Sequence, residues 1–279
     1  MAVQEKEREF KFTVDDFNFL RKMSNEHSGI QVPDERFDMF YSRLSKRVRK
    51  LGLGNFKDYC DYLTLHTEDE FTIFINAITT NLTAFFRESH HFDYLRDSVI
   101  PELLLGNKQS REIKAWSAGC STGEEPYSLA MTLRENVPAD WHIKILATDL
   151  DTHVLQVARD GVYAEASVRG LTESRLKRWF MRGQAAQAGY IKIRPELQQI
   201  IRFKQLNLMK EWPMRGDFDF IFCRNVLIYF DRETKITLTG RYADMLASKA
   251  WLFIGHSESL NKLSSDFELV TCTTYRKNK

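Results

Sequence analysis

Glu124 and Glu125 stand directly after a glycine turn in residues 113–128, IKAWSAGCSTGEEPYS, where a phosphate-binding loop would carry a lysine. Two carboxylates at the positive end of a helix repel a phosphate, so this turn is not built for a nucleoside triphosphate. Gly119 and Gly123 are separated by Cys-Ser-Thr, which does not match the G-x-G-x-x-G spacing of a dinucleotide loop. An acidic, glycine-turned pocket suits a cationic ligand that also bears hydroxyls. S-adenosylmethionine, with its sulfonium, ammonium and ribose, meets that description. A second carboxylate, Asp149, closes the run HIKILATD, with Asp151 close behind. A carboxylate at the end of the second strand is where doubly wound nucleotide sites hold ribose hydroxyls. Either aspartate also suits a cap for a helix starting near Thr152, and both roles coexist if Asp151 caps and Asp149 binds.

Other residues invite chemistry and must be weighed against plainer roles. Residues 81–87, NLTAFFR, have the wrong composition for a tolerant connector. Phe85 and Phe86 would seal apolar surfaces together, while Asn81, Thr83 and Arg87 would lie across the mouth of the cofactor site. His90 and His91 are adjacent on a helix and so do not face one metal; they are expected to be surface or packing histidines. His256-Ser257-Glu258 lacks the second glycine of a G-x-S-x-G elbow, which argues against a hydrolase. The four cysteines (Cys60, Cys120, Cys223, Cys272) include no C-x-x-C pair. That spacing argues against zinc and against a disulfide framework, and it favours a reducing compartment.

These groups need a scaffold. Ile113, Ala115 and Trp116 form a short apolar run expected to be a buried strand. Pro126 is tolerated in the first helical turn because its missing N–H would lack a partner there, and Leu129, Ala130 and Leu133 continue an apolar face. Strand, glycine turn and helix make the cofactor corner of a doubly wound α/β sheet. Further strands are expected at residues 142–149, 200–206, 217–223, 251–255 and 267–275, with a helix over 232–247. Between Gly161 and Gln199 the α/β rhythm breaks: a short helix over 171–181, the polar loop 182–189 and the alternating run 190–194 suggest an inserted β subdomain. Its exposed strand edge could accept a peptide by strand addition.

Residues 11–80 contain no convincing strand. Thr13-Val-Asp-Asp16 is expected to be a capping box for a first helix, and residues 34–51 to form a second. Asn55 and Thr67, each followed three residues later by an acid, are expected to cap helices over 56–66 and 68–79. The second helix carries Arg36, Arg43, Arg47 and Lys50 along one stripe, with Lys46 and Arg49 beside it. This is either a solvated basic face or a docking surface for an acidic partner. No aromatic residues interleave with these charges as single-stranded nucleic acid would require.

The 279 residues suffice for one large domain or two modest ones, and a formal net charge of +2 does not announce a nucleic-acid binder. No run of about 18 apolar residues exists and the first residues are charged, so neither a membrane span nor a secretory signal is expected, and the location is expected to be cytoplasmic.

Taken together, NLTAFFRESHHF, WSAGCSTGEEPYS, ATDLD, LNLM, FCRNVLIYF and FIGHSE, in that order along nearly the whole chain, resemble the chemoreceptor glutamate methyltransferases of bacterial chemotaxis, the CheR family. The resemblance implies a Rossmann-like class I S-adenosylmethionine-dependent methyltransferase sheet, a small all-helical N-terminal domain packed over the cofactor cleft, and an inserted small antiparallel β subdomain. The expected boundaries are 1–80 for the helical domain, 81–98 for a linker and 99–279 for the sheet domain, with the insertion at about 162–199.

Carried onto this sequence, the resemblance has Asn81, Thr83 and Arg87 reach the cofactor from the linker and Glu125, less surely Glu124, meet its methionine end. Asp149 would meet the ribose, Asn207 and Leu208 would flank the adenine, and Arg224, Asn225 and Tyr229 would complete the site. Arg87 would steer the incoming carboxylate and Tyr229 would hydrogen-bond near the transferring methyl group. Arg43, Lys46, Arg47 and Lys50 become candidate contacts for the acidic cytoplasmic helices of the receptor. The glycine-bracketed loop from Gly183 to Gly189 resembles the form that tethers a receptor's C-terminal pentapeptide, although its QAAQA centre is less glycine-rich.

The resemblance implies no metal, no nucleic acid and no membrane insertion, with S-adenosylhomocysteine as product. A nucleic-acid amino-methyltransferase would carry an N-P-P-Y-like turn where this chain reads RNVLIY, and a cytosine-carbon enzyme a P-C nucleophile. A non-catalytic adapter that senses the cofactor would have no need of both Arg87 and Tyr229.

Overall fold

A computed structural model describes residues 8–79 and 82–278. The chain divides into two compact units, Met1–Thr80 and Asn81–Lys279.

The first unit is helical throughout its described residues. Thr13 opens α1 (Val14–Ser28) with the expected capping box: its hydroxyl accepts from the Asp16 N–H, and the Asp16 carboxylate accepts from the Thr13 N–H at 2.8 Å. α2 (Phe37–Lys50) follows a 3-10 turn at Asp34–Arg36, so the helix expected from residue 34 begins as a tighter coil behind Pro33. Asn55 caps α3 (Phe56–Leu65) as expected. Thr67 does not cap α4 (Thr67–Ile78). Its hydroxyl turns back to the Leu63 carbonyl at 2.9 Å, and His66 occupies the cap position with its ring bonded to the Tyr62 carbonyl and no side-chain capping bond. Phe17, Leu20, Phe40, Leu44, Val48, Phe56, Tyr59, Leu63 and Phe74 are fully buried between the helices.

The second unit begins with α5 (His90–Tyr94), a π-turn (Leu95–Val99) and α6 (Ile100–Gly106), so helix already occupies part of the stretch 81–98. Pro101 cannot donate an amide proton, and the helix widens in the turn before it. There follow β1 (Glu112–Ala118), α7 (Glu124–Asn136), β2 (His142–Asp149), α8 (Thr152–Asp160) and β3 (Val162–Ala164). Next come α9 (Glu173–Trp179), β4 (Phe180–Arg182), β5 (Tyr190–Ile193), α10 (Pro195–Gln198) and β6 (Ile201–Gln205). The chain ends with β7 (Phe218–Cys223), α11 (Arg232–Met245), β8 (Leu246–Ile254), β9 (Phe267–Thr271) and β10 (Thr274–Lys277).

The main sheet has seven strands in the order β6-β2-β1-β7-β8-β10-β9, parallel from β6 to β8, with β10 antiparallel to both its neighbours. The single closing strand expected over 267–275 is thus a hairpin, β9 and β10, turned at Cys272 and Thr273. Buried residues such as Ala115, Ala147, Phe220 and Phe222 lie towards one core of this sheet, and Trp116, Ile221 and Leu252 towards the other. Strands covered on both faces read as nearly continuous apolar runs, which is why they were legible in the sequence.

The inserted β3, β4 and β5 form a separate antiparallel sheet in the order β3-β5-β4. The helix expected over 171–181 is shorter, because Phe180 and Met181 pair with Ile193 and Lys192 as strand. Among the described residues no helix is long and apolar enough to cross a membrane.

Candidate active site

The chain runs from β1 outward to β2 and β6, then crosses back to lay β7 on the other side of β1. The carboxyl ends of β1 and β7 therefore flank the point where strand order reverses, the crevice in which open α/β sheets bind ligands. Two loops meet there, 119–123 after β1 and 224–229 after β7. Gly119 has φ +89, and a Cβ on it would lie 2.4 Å from Cγ2 of Val226, so only glycine lets the loops approach this closely.

The first loop is fastened to the end of β2. The N–H groups of Gly119 and Cys120 donate to the Thr148 carbonyl at 2.8 and 2.9 Å. The Asp149 carboxylate accepts from the Ser121 N–H at 2.8 Å and the Asp151 N–H at 3.0 Å. Asp151 is the helix cap: one oxygen accepts from the N–H groups of His153 and Val154. The capping alternative thus falls to Asp151, and Asp149 stands half-buried at the loop. Burial pushes its carboxyl up to about 6, against the pull of the backbone N–H groups. Ser121 Oγ beside it is buried without a hydrogen-bond partner among the described residues.

Glu125 and Arg224 form a buried pair. Arg224 Nε donates to Glu125 Oε2 at 2.7 Å, and Glu125 Oε1 accepts from the Ser117 hydroxyl at 2.7 Å. Arg224 Nη1 also donates to the Arg87 carbonyl at 2.6 Å and to His91 Nδ1 at 3.1 Å, while the guanidinium lies over Phe92 and Phe222. His91 is a packing histidine as expected, fully buried. Burial and the neighbouring Arg224 charge lower its pKa to about 3, so the ring is neutral, with Nδ1 accepting and Nε2–H donating to Thr273 at 3.0 Å. Contrary to the expectation that adjacent histidines on a helix do not face one metal, ligand atoms of His90, His91 and Glu88 lie within 4.8 Å of one another, because the chain enters α5 through Glu88 at positive φ. Arg224 Nη1 lies 3.8 Å from Glu88 in the same nest. Burial raises the Glu88 carboxyl, yet the His256 hydrogen bond and Arg224 prevail and hold it below the ordinary value. Glu124, buried and bonded to Thr122, is pushed up by desolvation.

Arg87 is half-buried, one nitrogen donating to the Leu82 carbonyl at 2.7 Å, between Phe86 and Glu88, both at positive φ. Thr83 is half-buried four residues before it, and Asn81 lies outside the described residues. Asn225, at φ +58, reaches Glu88 through its amide at 3.4 Å, and half-buried Tyr229 ends a 3-10 turn, Leu227–Tyr229. Asn207 and Leu208 follow β6, tied to the same sheet end by the Leu206 N–H to Asp149 carbonyl bond at 2.9 Å.

The carboxyl ends thus gather Arg87, Glu125, Asp149, Arg224, Asn225 and Tyr229, with Asn207 and Leu208 beside Asp149. Ser117, Glu88 and Glu258 bond into the Glu125–Arg224–Asn225 group and Ser121 bonds to Asp149; none of the four was singled out as a site residue. Ser121 and Ser117 bracket the recognised glycine turn, and Glu258 closes the FIGHSE run; both runs were visible in the sequence. The residue types fit S-adenosylmethionine: half-buried Asp149 keeps lone pairs for a ribose beyond the two N–H groups that fix it, and Glu125, itself paired with Arg224, adds negative charge at the same sheet end. Cys120 and Cys223 are buried thiols with pKa raised well above the ordinary value by desolvation, which removes a thiolate nucleophile.

The basic residues of α2 belong to the helical unit. Arg47 makes a bidentate pair with buried Glu70, which also accepts from the Tyr59 hydroxyl. Arg43 donates to the carbonyls of Ile78 and Thr79 at the end of α4. Lys46 and Lys50 are exposed and, among the described residues, in no ion pair.

Two family descriptions cover almost the whole chain: the CheR methyltransferase all-alpha domain over residues 15–79 and the CheR methyltransferase SAM binding domain over 81–276. The chemotaxis protein methyltransferase of Escherichia coli is 41% identical over 268 residues, covering 94% of this chain and 91% of that protein. Chemotaxis protein methyltransferase 2 of Pseudomonas aeruginosa is 41% identical over 270 residues, covering 96% and 95%. The corresponding protein of Borreliella burgdorferi is 37% identical over 273 residues, covering 95% of each. The glycine-turned loop at the switch point, the helical unit that precedes it in the chain and these likenesses agree: the chain belongs to the CheR methyltransferase family.

Proposed function

We propose that the protein is a cytoplasmic protein-glutamate O-methyltransferase that esterifies glutamates on the cytoplasmic helices of bacterial chemoreceptors, with S-adenosylmethionine as donor and S-adenosylhomocysteine as product. The observation that carries this reading is half-buried Asp149 at the end of β2, fixed by the Ser121 and Asp151 N–H groups beside the loops that follow β1 and β7, where a ribose would meet it. Asp149 would hold the sugar, Asn207 and Leu208 would flank the base, and Glu125, fixed by Arg224, would set the charge near the amino-acid end.

S-adenosylmethionine supplies a methyl group on a positively charged sulfur. A glutamate is already ionised at neutral pH, so the chain needs no general base. Neutral, buried His91 and the protonated cysteines accord with that. The protein's task is to orient the carboxylate and strip water from it, and such positioning is worth roughly 7–11 kcal/mol. Arg87 is suited to steering: one nitrogen is held by Leu82, and the rest of its planar fork matches a carboxylate. Tyr229 would hydrogen-bond near the transferring methyl group.

The receptor face would centre on Lys46 and Lys50, because Arg43 and Arg47 are turned to partners within the helical unit. The receptor's C-terminal pentapeptide would add to β4, an edge strand of the small sheet. A cleft of about 270 Å³ beside it has Val168, Leu176 and Phe180 for apolar side chains and Arg169 for an acidic one, while Arg182 there pairs with Glu165 at 3.5 Å.

The test is transfer of labelled methyl groups from S-adenosylmethionine to membranes carrying chemoreceptors, with DNA and RNA in parallel. Base-labile label on receptor glutamates is expected, and Arg87→Ala should abolish most of it. Label on nucleic acid instead would overturn the reading, and near-normal turnover of Arg87→Ala at saturating receptor would remove the role given to Arg87.

A further inference from the structure

Glu258 is a buried carboxylate, 7% exposed, with no cationic partner among the described residues, in a segment that the methyl-transfer reading leaves unused. It follows β8 by a tight turn in which the Glu258 N–H donates to the Gly255 carbonyl at 2.9 Å. The side chain folds back over this turn and accepts from backbone N–H groups: Gly255 at 2.5 Å and Asn225 at 3.0 Å on Oε2, Ile228 at 3.0 Å on Oε1, and Leu227 beside them. Burial raises its carboxyl while these N–H groups pull the other way.

All of these donors but Gly255 belong to the loop 224–229. Among the described residues, the loop's own backbone bonds are confined to its 3-10 turn, where Tyr229 N–H donates to Val226 and Phe230 N–H to Leu227. Asn225 ahead of that turn sits in the left-handed region, at φ +58, and is not glycine. Gly255 is also explained by this loop, since a Cβ there would lie 2.5 Å from the Asn225 amide nitrogen and 2.7 Å from its backbone nitrogen. Glycine lets the ends of β7 and β8 close up, and the glutamate then bridges them.

We propose that Glu258 is a positioning residue, whose carboxylate fixes the backbone of residues 225–228 in the one conformation that presents Asn225 and Tyr229 to the crevice. The inference rests on the methyltransferase reading for the role of those two side chains. The hydrogen-bond geometry itself is independent of it.

The decisive variant is Glu258→Gln. It keeps the size of the side chain and removes the charge. The amide can accept with its oxygen only, so its nitrogen would set a donor against a backbone N–H. A displacement of about 1 Å at a reacting group can cost on the order of 100-fold in rate. Methyl transfer to chemoreceptor membranes by Glu258→Gln is therefore expected to fall roughly 100-fold in kcat, with the receptor KM within about twofold of wild type. Amide hydrogen exchange should accelerate at Asn225, Ile228 and Gly255 while the amides of β7 and β8 keep their protection.

Wild-type turnover in the same assay separates the two questions, because its absence would indict the methyltransferase reading and leave the exchange result standing. Turnover of Glu258→Gln within twofold of wild type, or uniform loss of protection across β7 and β8, would overturn the positioning role. If the variant does not fold, exchange in the wild-type protein decides: unprotected amides at Asn225, Ile228 and Gly255 would refute the carboxylate's hold on the loop.

Discussion

Arg224→Met removes a charge from the centre of the site while keeping an apolar stem against Phe92 and Phe222. The Arg224 side chain is 2% exposed and the Glu125 side chain 10%. Without the guanidinium, Glu125 retains only the Ser117 hydroxyl, and the Arg87 carbonyl and His91 Nδ1 lose a donor. Breaking one side of a buried ion pair costs about 3–5 kcal/mol, because the remaining charge is left uncompensated. The double variant Arg224→Met, Glu125→Gln removes that charge too and should recover about 2 kcal/mol of the loss.

Urea unfolding followed by tryptophan fluorescence reads this cleanly. All five tryptophans (Trp116, Trp141, Trp179, Trp212 and Trp251) lie in the second unit, so the signal excludes the helical one. With a slope on the order of 2–3 kcal/mol/M, the single variant should move the midpoint down by roughly 1–2 M. A loss under about 1 kcal/mol would refute the account. So would additivity of the two substitutions within about 0.5 kcal/mol.

Two further outcomes are expected. Asp149, with its folded pKa raised to about 6, binds its proton more tightly in the folded protein, so its contribution to stability is present below about pH 4 and is lost as pH rises through 6. The ionised form is the better acceptor for a ribose, so S-adenosylhomocysteine affinity should rise over pH 5–7; titration calorimetry on Asp149→Asn should show a flat profile and binding weakened by about 10- to 100-fold. On α2, Lys46→Glu with Lys50→Glu should raise the receptor KM by roughly 10-fold at low salt and much less at high salt, leaving S-adenosylhomocysteine affinity unchanged; an equal KM at both salt concentrations would speak against electrostatic docking.

The parts that could be read from sequence are those set by local pattern. The capping box at Thr13, the cap at Asn55 and the cap at Asp151 need only a few neighbouring residues, and the structure has all three. Thr67 carried the same signal as Asn55 but had a free carbonyl four residues back, and the hydroxyl took it. Strands 113–118 and 218–223 announce themselves because both faces are buried. The hairpin over 267–277 does not, since Cys272 and Thr273 carry no glycine or proline to mark a turn. At the site, residue types near the glycine turn were legible, but their partners were not. That Arg224 pairs with Glu125, 99 positions away, or that Arg47 is taken by Glu70, follows from tertiary closure alone.

The small sheet is bolted to the large one. The Glu135 carboxylate on α7 receives both the Arg175 fork and the Trp179 indole of α9. Arg175 in turn lies 4.1 Å over Phe86, while Phe85 packs edge-on against Tyr163 and Phe180. Phe180 of β4 thus touches Phe85, two residues before Arg87, so the outlying sheet and the segment that bears Arg87 share one packed seam.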